Sequence, residues 1–283
     1  MTKKQFTCGN FSFDLSKKSL IMGILNVTPD SFSDGGVFFD EAKAVARAVQ
    51  MAEEGADIID IGGESTRPGA AKVDAKEEIK RILPVIKKIV KKVKIPVSVD
   101  TYKCEVAEAA LGEGAAIIND ISGLRFSPVI AGLTAKAKAG LILMHMKGTP
   151  SNMQEDPKYN NVVSEIKSYL KESIKIALKA GNKKESIIID PGIGFGKTLE
   201  HNLIILKNLR EFVKLGYPVM VGISRKSFIG KILKTESNMR LEGSLAAAVL
   251  AVKEGASIIR AHDIKETVRA LKVAEAILNT KAK

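Results

Sequence analysis

Eight short apolar runs punctuate this chain, at residues 20–25, 57–61, 96–99, 116–119, 141–144, 186–189, 218–222 and 257–260. Most hold several apolar residues in succession, without the alternation of a sheet that has one wet face. Such runs suit strands buried on both sides. Between them lie stretches with helical spacing, at 41–54, 76–92, 104–113, 128–138, 162–180, 199–215, 227–252 (interrupted near Thr235) and 264–278. Three segments, AEEGADIIDI, LGEGAAIIND and AVKEGASIIRA, share one grammar of helix end, glycine, strand. Gly55, Gly114, Gly140, Gly181, Gly216 and Gly255 each stand shortly before an apolar run. Glycine there accepts the left-handed conformation that closes a helix. Eight βα units predict an α/β fold, a (β/α)8 TIM barrel. An open doubly wound sheet is the competing arrangement of the same units.

A barrel of 283 residues is one domain, and no shift in composition divides the chain, so a single domain over 1–283 is expected. Residues 5–15, QFTCGNFSFDL, read as a small β-hairpin within a lead-in over 1–19, capping the barrel's N-terminal end. The net charge is +12, from 44 basic and 32 acidic residues. The basic residues are mostly lysines scattered along the chain, not an arginine-rich stripe with interleaved aromatics, so nucleic acid is not the expected partner. The charge still favours anionic substrates. Cys8 and Cys104 show no metal or disulfide spacing. No apolar run approaches a membrane span, and the N-terminal stretch lacks an apolar signal core, so a cytoplasmic protein is expected.

In such a barrel the C-terminal ends of the strands carry the site. The first run ends in Asn26, and the second in GGESTRPGA, with Glu64, Ser65, Thr66 and Arg67. The third ends in Asp100, the fourth in Asn119 and Asp120, the fifth in His145, the sixth in Asp190. The seventh ends in Ser224, Arg225, Lys226 and Ser227, the eighth in Arg260 and His262. Any one of these could cap a helix, as Asp100 or Asp190 alone would. Eight together at one end are poorly explained by capping. Asp100, Asn119 and Asp190 suit the edge of a flat polar heterocycle, with Lys226 as a cation beside it. Asn26, Arg260 and His262 converge if the last strand neighbours the first, and form an anion site. His145 serves equally well as strand-end packing. DPGIGFGKT misses the spacing of a phosphate-binding P-loop by one residue, so a phosphate turn there is weakly supported. GISRKS is not a nucleophile elbow.

One loop is longer than a turn requires: GILNVTPDSFSDGG, residues 23–36, leaves the first strand as a polar stretch with Phe32 in its middle. An ordinary surface loop and a mobile active-site loop are its two readings.

The segments IMGILNVTPDSFSDGG, GADIIDIGGESTRPGA, PVSVDTYK, IINDISG, DPGIGFGKT, VGISRKSFIG and IIRAHD, in order from residue 21 to 263, closely resemble the dihydropteroate synthase family. The resemblance implies a (β/α)8 barrel that condenses 7,8-dihydropterin-6-ylmethyl diphosphate with p-aminobenzoate, releasing diphosphate, in folate synthesis. It implies that Asp100, Asn119, Asp190 and Lys226 hold the pterin, with Met144 and Gly222 lining its slot. Asn26, Thr66, Arg67, Arg260 and His262 hold the diphosphate, with magnesium at Asn26. Phe32, Pro68, Phe195, Lys226 and Ser227, with Thr66, frame the p-aminobenzoate. Asp100, Lys226, Arg260, Asp34 and Arg67 serve catalysis, Asp34 and Arg67 from two mobile loops. A homodimer is implied as well. Under this reading Phe32 covers the site and excludes water. A pterin-binding methyltransferase on the same barrel and a silent paralogue share many of these residues, the former with less use for SRKS, Arg260 and His262.

Overall fold

A computed structural model describes residues 5–28, 41–65 and 72–280. The chain opens with an antiparallel hairpin, β1 (Gln5–Cys8) and β2 (Phe11–Asp14). Eight parallel strands follow: β3 (Leu20–Asn26), β4 (Ile58–Gly62), β5 (Val97–Asp100), β6 (Ile117–Asp120), β7 (Gly140–Met144), β8 (Ile187–Asp190), β9 (Met220–Gly222) and β10 (Ile258–Ala261). Their order is β8-β7-β6-β5-β4-β3-β10-β9. A parallel bridge from Ile189 to Val219, with the Ile189 N–H donating to the Pro218 carbonyl at 3.0 Å, joins β8 to the β9 side. The sheet is therefore a closed (β/α)8 barrel, and the open doubly wound alternative is set aside.

The apolar runs are continuous because both faces of each strand are buried among apolar side chains. Ile21, Leu25, Ile59, Ile61, Val97, Val99, Ile118, Leu141, Leu143, Ile187, Ile189, Val221 and Ile259 pack outward with the helices. Their neighbours in sequence, Leu20, Met22, Ile58, Ile117, Ile142, Ile188, Met220 and Ile258, fill the lower barrel with Phe6, Cys8 and Leu15 of the lead-in. The hairpin is thus the expected plug. It presses so closely on β7 that a Cβ at Gly140 would lie 2.8 Å from Phe6 Cζ and 3.0 Å from Cys8 Cβ. Gly140 is consequently a strand residue and not the helix-closing one: Lys138 takes the left-handed conformation there, with φ 54°.

Six strands end one residue beyond their apolar run, and β3, β5, β6 and β8 do so on a polar residue, Asn26, Asp100, Asp120 and Asp190. The helices are α1 (Glu41–Glu53), α2 (Ala75–Lys92), α3 (Cys104–Gly112), α4 (Val129–Ala137), α5 (Val162–Lys179), α6 (Leu199–Lys207), α7 (Leu209–Val213), α8 (Ser227–Leu233), α9 (Leu241–Lys253) and α10 (Ile264–Asn279). Side-chain caps set several starts: Asp74 Oδ1 accepts from Glu77 N at 2.8 Å, and Asn161 Oδ1 from Ser164 N at 2.9 Å. The helix expected over 199–215 is two, because Asn208 breaks it. Its amide side chain donates to the Ile204 carbonyl at 2.8 Å and competes with the helical ladder. The interruption expected near Thr235 is present between α8 and α9.

Candidate active site

The alternation that fills the lower barrel with Leu, Ile and Met continues upward with polar residues. Asp60 on β4 pairs in register with Ser98 on β5, Asp100 with Asn119 on β6, Met144 with Asp190, and Gly222 with Arg260. Residues from seven strands, β4 to β10, therefore meet in the upper barrel. Asn26 joins them at the end of β3: a Cβ at Gly62 would lie 3.8 Å from Asp100 Cβ and 3.9 Å from Asn26 Oδ1. Gly222 leaves similar room beside Arg260, whose Cβ and Cδ would lie 3.8 Å from an added methyl.

The hydrogen bonds form one network. Arg260 Nε donates to Asp60 Oδ2 at 2.6 Å, and Arg260 Nη2 to Asp100 Oδ2 at 2.8 Å. Asn119 Nδ2 donates to the same Asp60 oxygen at 3.1 Å. Three oxygens nearby, Asp60 Oδ1, Asp100 Oδ1 and Asn119 Oδ1, are buried without a hydrogen-bond partner. Buried acceptors left open are costly in a finished core, and here they mark a wall that awaits donors. Arg260 is thus braced on two carboxylates by two of its five N–H groups, leaving three for another ligand.

Asp190 makes the turn-capping contact and is also buried. Oδ1 accepts from Gly192 N at 2.7 Å, the turn-capping role, while the carboxylate stays buried beside the cavity. Gly192 itself admits no side chain, since with φ 70° a Cβ would fall 1.9 Å from the His145 carbonyl oxygen. Lys226 Nζ donates to the Ile193 carbonyl and lies 4.2 Å from the centre of the Phe195 ring. Ser227 is the next residue, at the first turn of α8. His262 Nδ1 lies 3.1 Å from Ser224 Oγ, which also accepts from the His262 N–H at 3.2 Å.

Burial tunes these groups against one another. It pushes the Asp100 carboxyl up to about 7, with Arg260 opposing and Asp60 reinforcing. Asp190 is raised by burial too, against the Gly192 N–H and the Lys226 charge. Burial brings Lys226 down to about 8, though Asp190 holds its proton on. An acid and a cation shifted toward neutrality side by side mark a candidate functional site.

Other residues of the upper rim are structural. Asp120 receives the Ser122 N–H and hydroxyl at 2.8 and 2.7 Å and the Leu124 N–H at 2.7 Å, and so shapes the turn after β6. The DPGIGFGKT turn does not offer its amides to an anion. Gly192 N is taken by Asp190, and Gly194 N by Asn202 Oδ1 at 2.7 Å. Lys197 is buried, its ammonium on His145 Nδ1 at 3.0 Å and the Phe195 carbonyl at 2.8 Å. Burial, with the Lys197 charge second, drives His145 down to about 2 and keeps its ring neutral. His145 is a packed strut.

Phe32, Asp34, Thr66, Arg67 and Pro68 lie outside the described residues. The base of the second loop is visible. Glu64 Oε1 accepts from Val73 N at 3.0 Å, and Oε2 pairs at 2.6 Å with Lys103, which also pairs with buried Glu78. This clamp was not legible in the sequence, because Lys103 looks like any surface lysine. Asp60 was missed for another reason. It sits inside the run DIIDI, not after it, although a carboxylate within a strand buried on both faces is itself the signal.

The chain's relatives match this arrangement. The family described as pterin binding enzyme matches residues 22–262. The dihydropteroate synthase of Escherichia coli (strain K12) is 50% identical over 272 residues, covering 95% of each chain. A Xanthomonas albilineans dihydropteroate synthase with 4-aminobenzoic acid superposes with TM-score 0.92 at 43% identity, over 99% of this chain and 100% of that one. Another structure of that enzyme, in complex with 7,8-dihydropteroate, gives 0.88 at 41% identity, over 98% and 100%. By the family match and by half-identity along nearly its whole length, the chain belongs to the pterin-binding enzymes and, among them, to the dihydropteroate synthases.

Proposed function

We infer that this chain condenses 7,8-dihydropterin-6-ylmethyl diphosphate with p-aminobenzoate in the upper barrel, and that the residues gathered there divide the work. The observation that carries the assignment is the acceptor wall: open, buried oxygens on Asp100 and Asn119, beside Asp190 and a cation at Lys226. A pterin's amino-pyrimidine edge brings the N–H donors such a wall lacks, and its carbonyl suits Lys226. Met144 and Gly222 stand in the same layer, one as apolar contact and one as open space. Arg260, with its spare N–H groups, and His262 and Asn26 hold the diphosphate. Phe195, Lys226 and Ser227 face the p-aminobenzoate. Asp34, Thr66, Arg67, Phe32 and Pro68, outside the described residues, complete these roles.

The chemistry follows from these placements. The bond from the pterin methylene to the diphosphate oxygen breaks, and Arg260 and His262 take up the leaving charge. Positive charge spreads over the pterin, where ionised Asp100 stabilises it. The aniline nitrogen forms the new C–N bond and releases a proton. Magnesium fits the donor set: Mg²⁺ takes a few protein oxygens and otherwise substrate phosphates and water, and Asn26 offers an amide oxygen beside the proposed diphosphate position. When bound it would neutralise part of the leaving charge. Among the described residues no group of three or more His, Cys, Asp or Glu side chains is set to hold a metal unaided.

A homodimer in the cytoplasm completes the reading. Ile232, Leu233, Met239 and Leu250 on and around α8 and α9 are exposed apolar side chains, which supports association. No described helix is long and apolar enough to cross a membrane. The experiment is diphosphate release from the pterin diphosphate in the presence and absence of p-aminobenzoate. Release that requires p-aminobenzoate supports the synthase, and release indifferent to it overturns the reading.

A further inference from the structure

Asp60 does not reach outward to a rim, and it is fully buried in the middle of β4. Its Oδ2 nevertheless joins the two halves of the site, accepting from Arg260 Nε and from Asn119 Nδ2. A carboxylate only accepts, so the amide of Asn119 has one stable orientation against it. With the NH2 group on Asp60, Asn119 Oδ1 is turned the other way, where it is buried without a partner like Asp100 Oδ1. Were the amide reversed, its oxygen would lie against the Asp60 oxygen and its NH2 would enter the wall. The wall would then present a donor where it now presents an acceptor.

We infer that Asp60 is a positioning residue which, by holding the Asn119 NH2 group and Arg260 Nε on one oxygen, fixes the pterin wall as acceptor-only and thereby selects a pteridine carrying a 2-amino group over one carrying a carbonyl at that place. The inference rests on the pterin reading of the cavity. It places specificity in a residue that acts through the orientation of Asn119. Sites built to bond a ligand's N–H reject the analogue that lacks it, because their own polar groups are then left unpaired.

The test compares binding of 6-hydroxymethylpterin with that of the corresponding 6-hydroxymethyl-pteridine-2,4-dione, by calorimetric titration. The wild type prefers the pterin. Asp60→Ala frees the Asn119 amide to turn, and should narrow the preference by about tenfold, the worth of one buried hydrogen bond. Asp60→Asn, whose amide oxygen still accepts both bonds, should keep the preference within about threefold of wild type. In an Asn119→Ala background, Asp60→Ala should no longer change it. If the alanine variant does not fold, Asp60→Ser carries the same comparison, its hydroxyl being too short to hold Asn119. An unchanged preference in the folded variant, or an equal change without Asn119, overturns the role of Asp60. A wild type that binds the two ligands alike overturns instead the pterin reading on which it rests. Loss of melting temperature alone, with the preference intact, marks Asp60 as merely structural and also overturns the inference.

Discussion

The two ends of the barrel are made by the same eight strands, yet they obey opposite rules. At the lower end Met22, Ile58, Ile117, Ile142, Ile188, Met220 and Ile258 close on Phe6 and Cys8 of the hairpin in one apolar cluster. At the upper end the next interior positions are Asp60, Asp100, Asn119, Asp190 and Arg260, with three buried oxygens left open. The lower end is finished and should therefore carry stability. The upper end is unfinished: it holds charge away from water for a ligand to complete, and should therefore cost stability and carry function.

The largest effect expected from this contrast is at the plug. Phe6 is fully buried, and Phe6→Ala should cost about 3–5 kcal/mol of folding stability, transfer and cavity together. The KM values of the folded variant should stay close to wild type. Chemical denaturation with kinetics at a permissive temperature checks both, and a raised KM without lost stability would tie the plug to the site.

The upper end should respond the other way. Asp190→Asn keeps the oxygen that accepts from Gly192 and removes the charge, so it should weaken pterin binding by about 2–4 kcal/mol. Since burial raises the Asp190 pKa, its charge is a burden on the fold, and the melting temperature should hold or rise. Titration of a pterin alongside thermal melts decides. Undiminished binding would mean that Asp190 only caps its turn, and the two ends would then differ less than their side chains suggest.

The lower end was the more legible in the sequence, and the reason is physical. Burial on both strand faces writes itself as continuous apolar runs, and the hairpin as two short alternating segments, so both were readable. Asp100, Asn119, Asp190 and Arg260 were readable as well, because a strand aimed at a cavity ends in polar residues. What stayed hidden depends on partners far away in sequence. Asp60 joins Arg260 across 200 positions, and Lys197 reaches His145 across 52. The break at Asn208 and the close approach at Gly140 depend on a side-chain bond and on a neighbouring hairpin, neither of which leaves a local pattern. A lone Asp within an apolar run is the exception, and could have been read.

The smallest effect, and the sharpest discriminator between the two ends, is the response to pH. Asp100 rises from its ordinary 3.8 to about 7, and Lys226 falls from 10.5 to about 8, each chiefly through burial. Between about pH 4 and about pH 7 the unfolded chain gives up the Asp100 proton while the folded chain keeps it. The native state binds more protons there, so this group's contribution to stability falls as pH rises. Between about pH 8 and about pH 10.5 the folded chain has lost the Lys226 proton and the unfolded chain retains it, so the Lys226 contribution grows with pH. The proposed function has the inverse need: an ionised Asp100 against the cationic pterin and a protonated Lys226 beside it. The two coexist chiefly between about pH 7 and about pH 8, so kcat/KM should be bell-shaped with its limbs near those values. Asp100→Asn should flatten the acid limb of whatever activity remains, and Phe6→Ala should leave the whole profile in place, because the plug holds no group that titrates there. A profile flat from about pH 6 to about pH 9, or one reshaped by Phe6→Ala, would show that the charges of the upper barrel are not what divides its two ends.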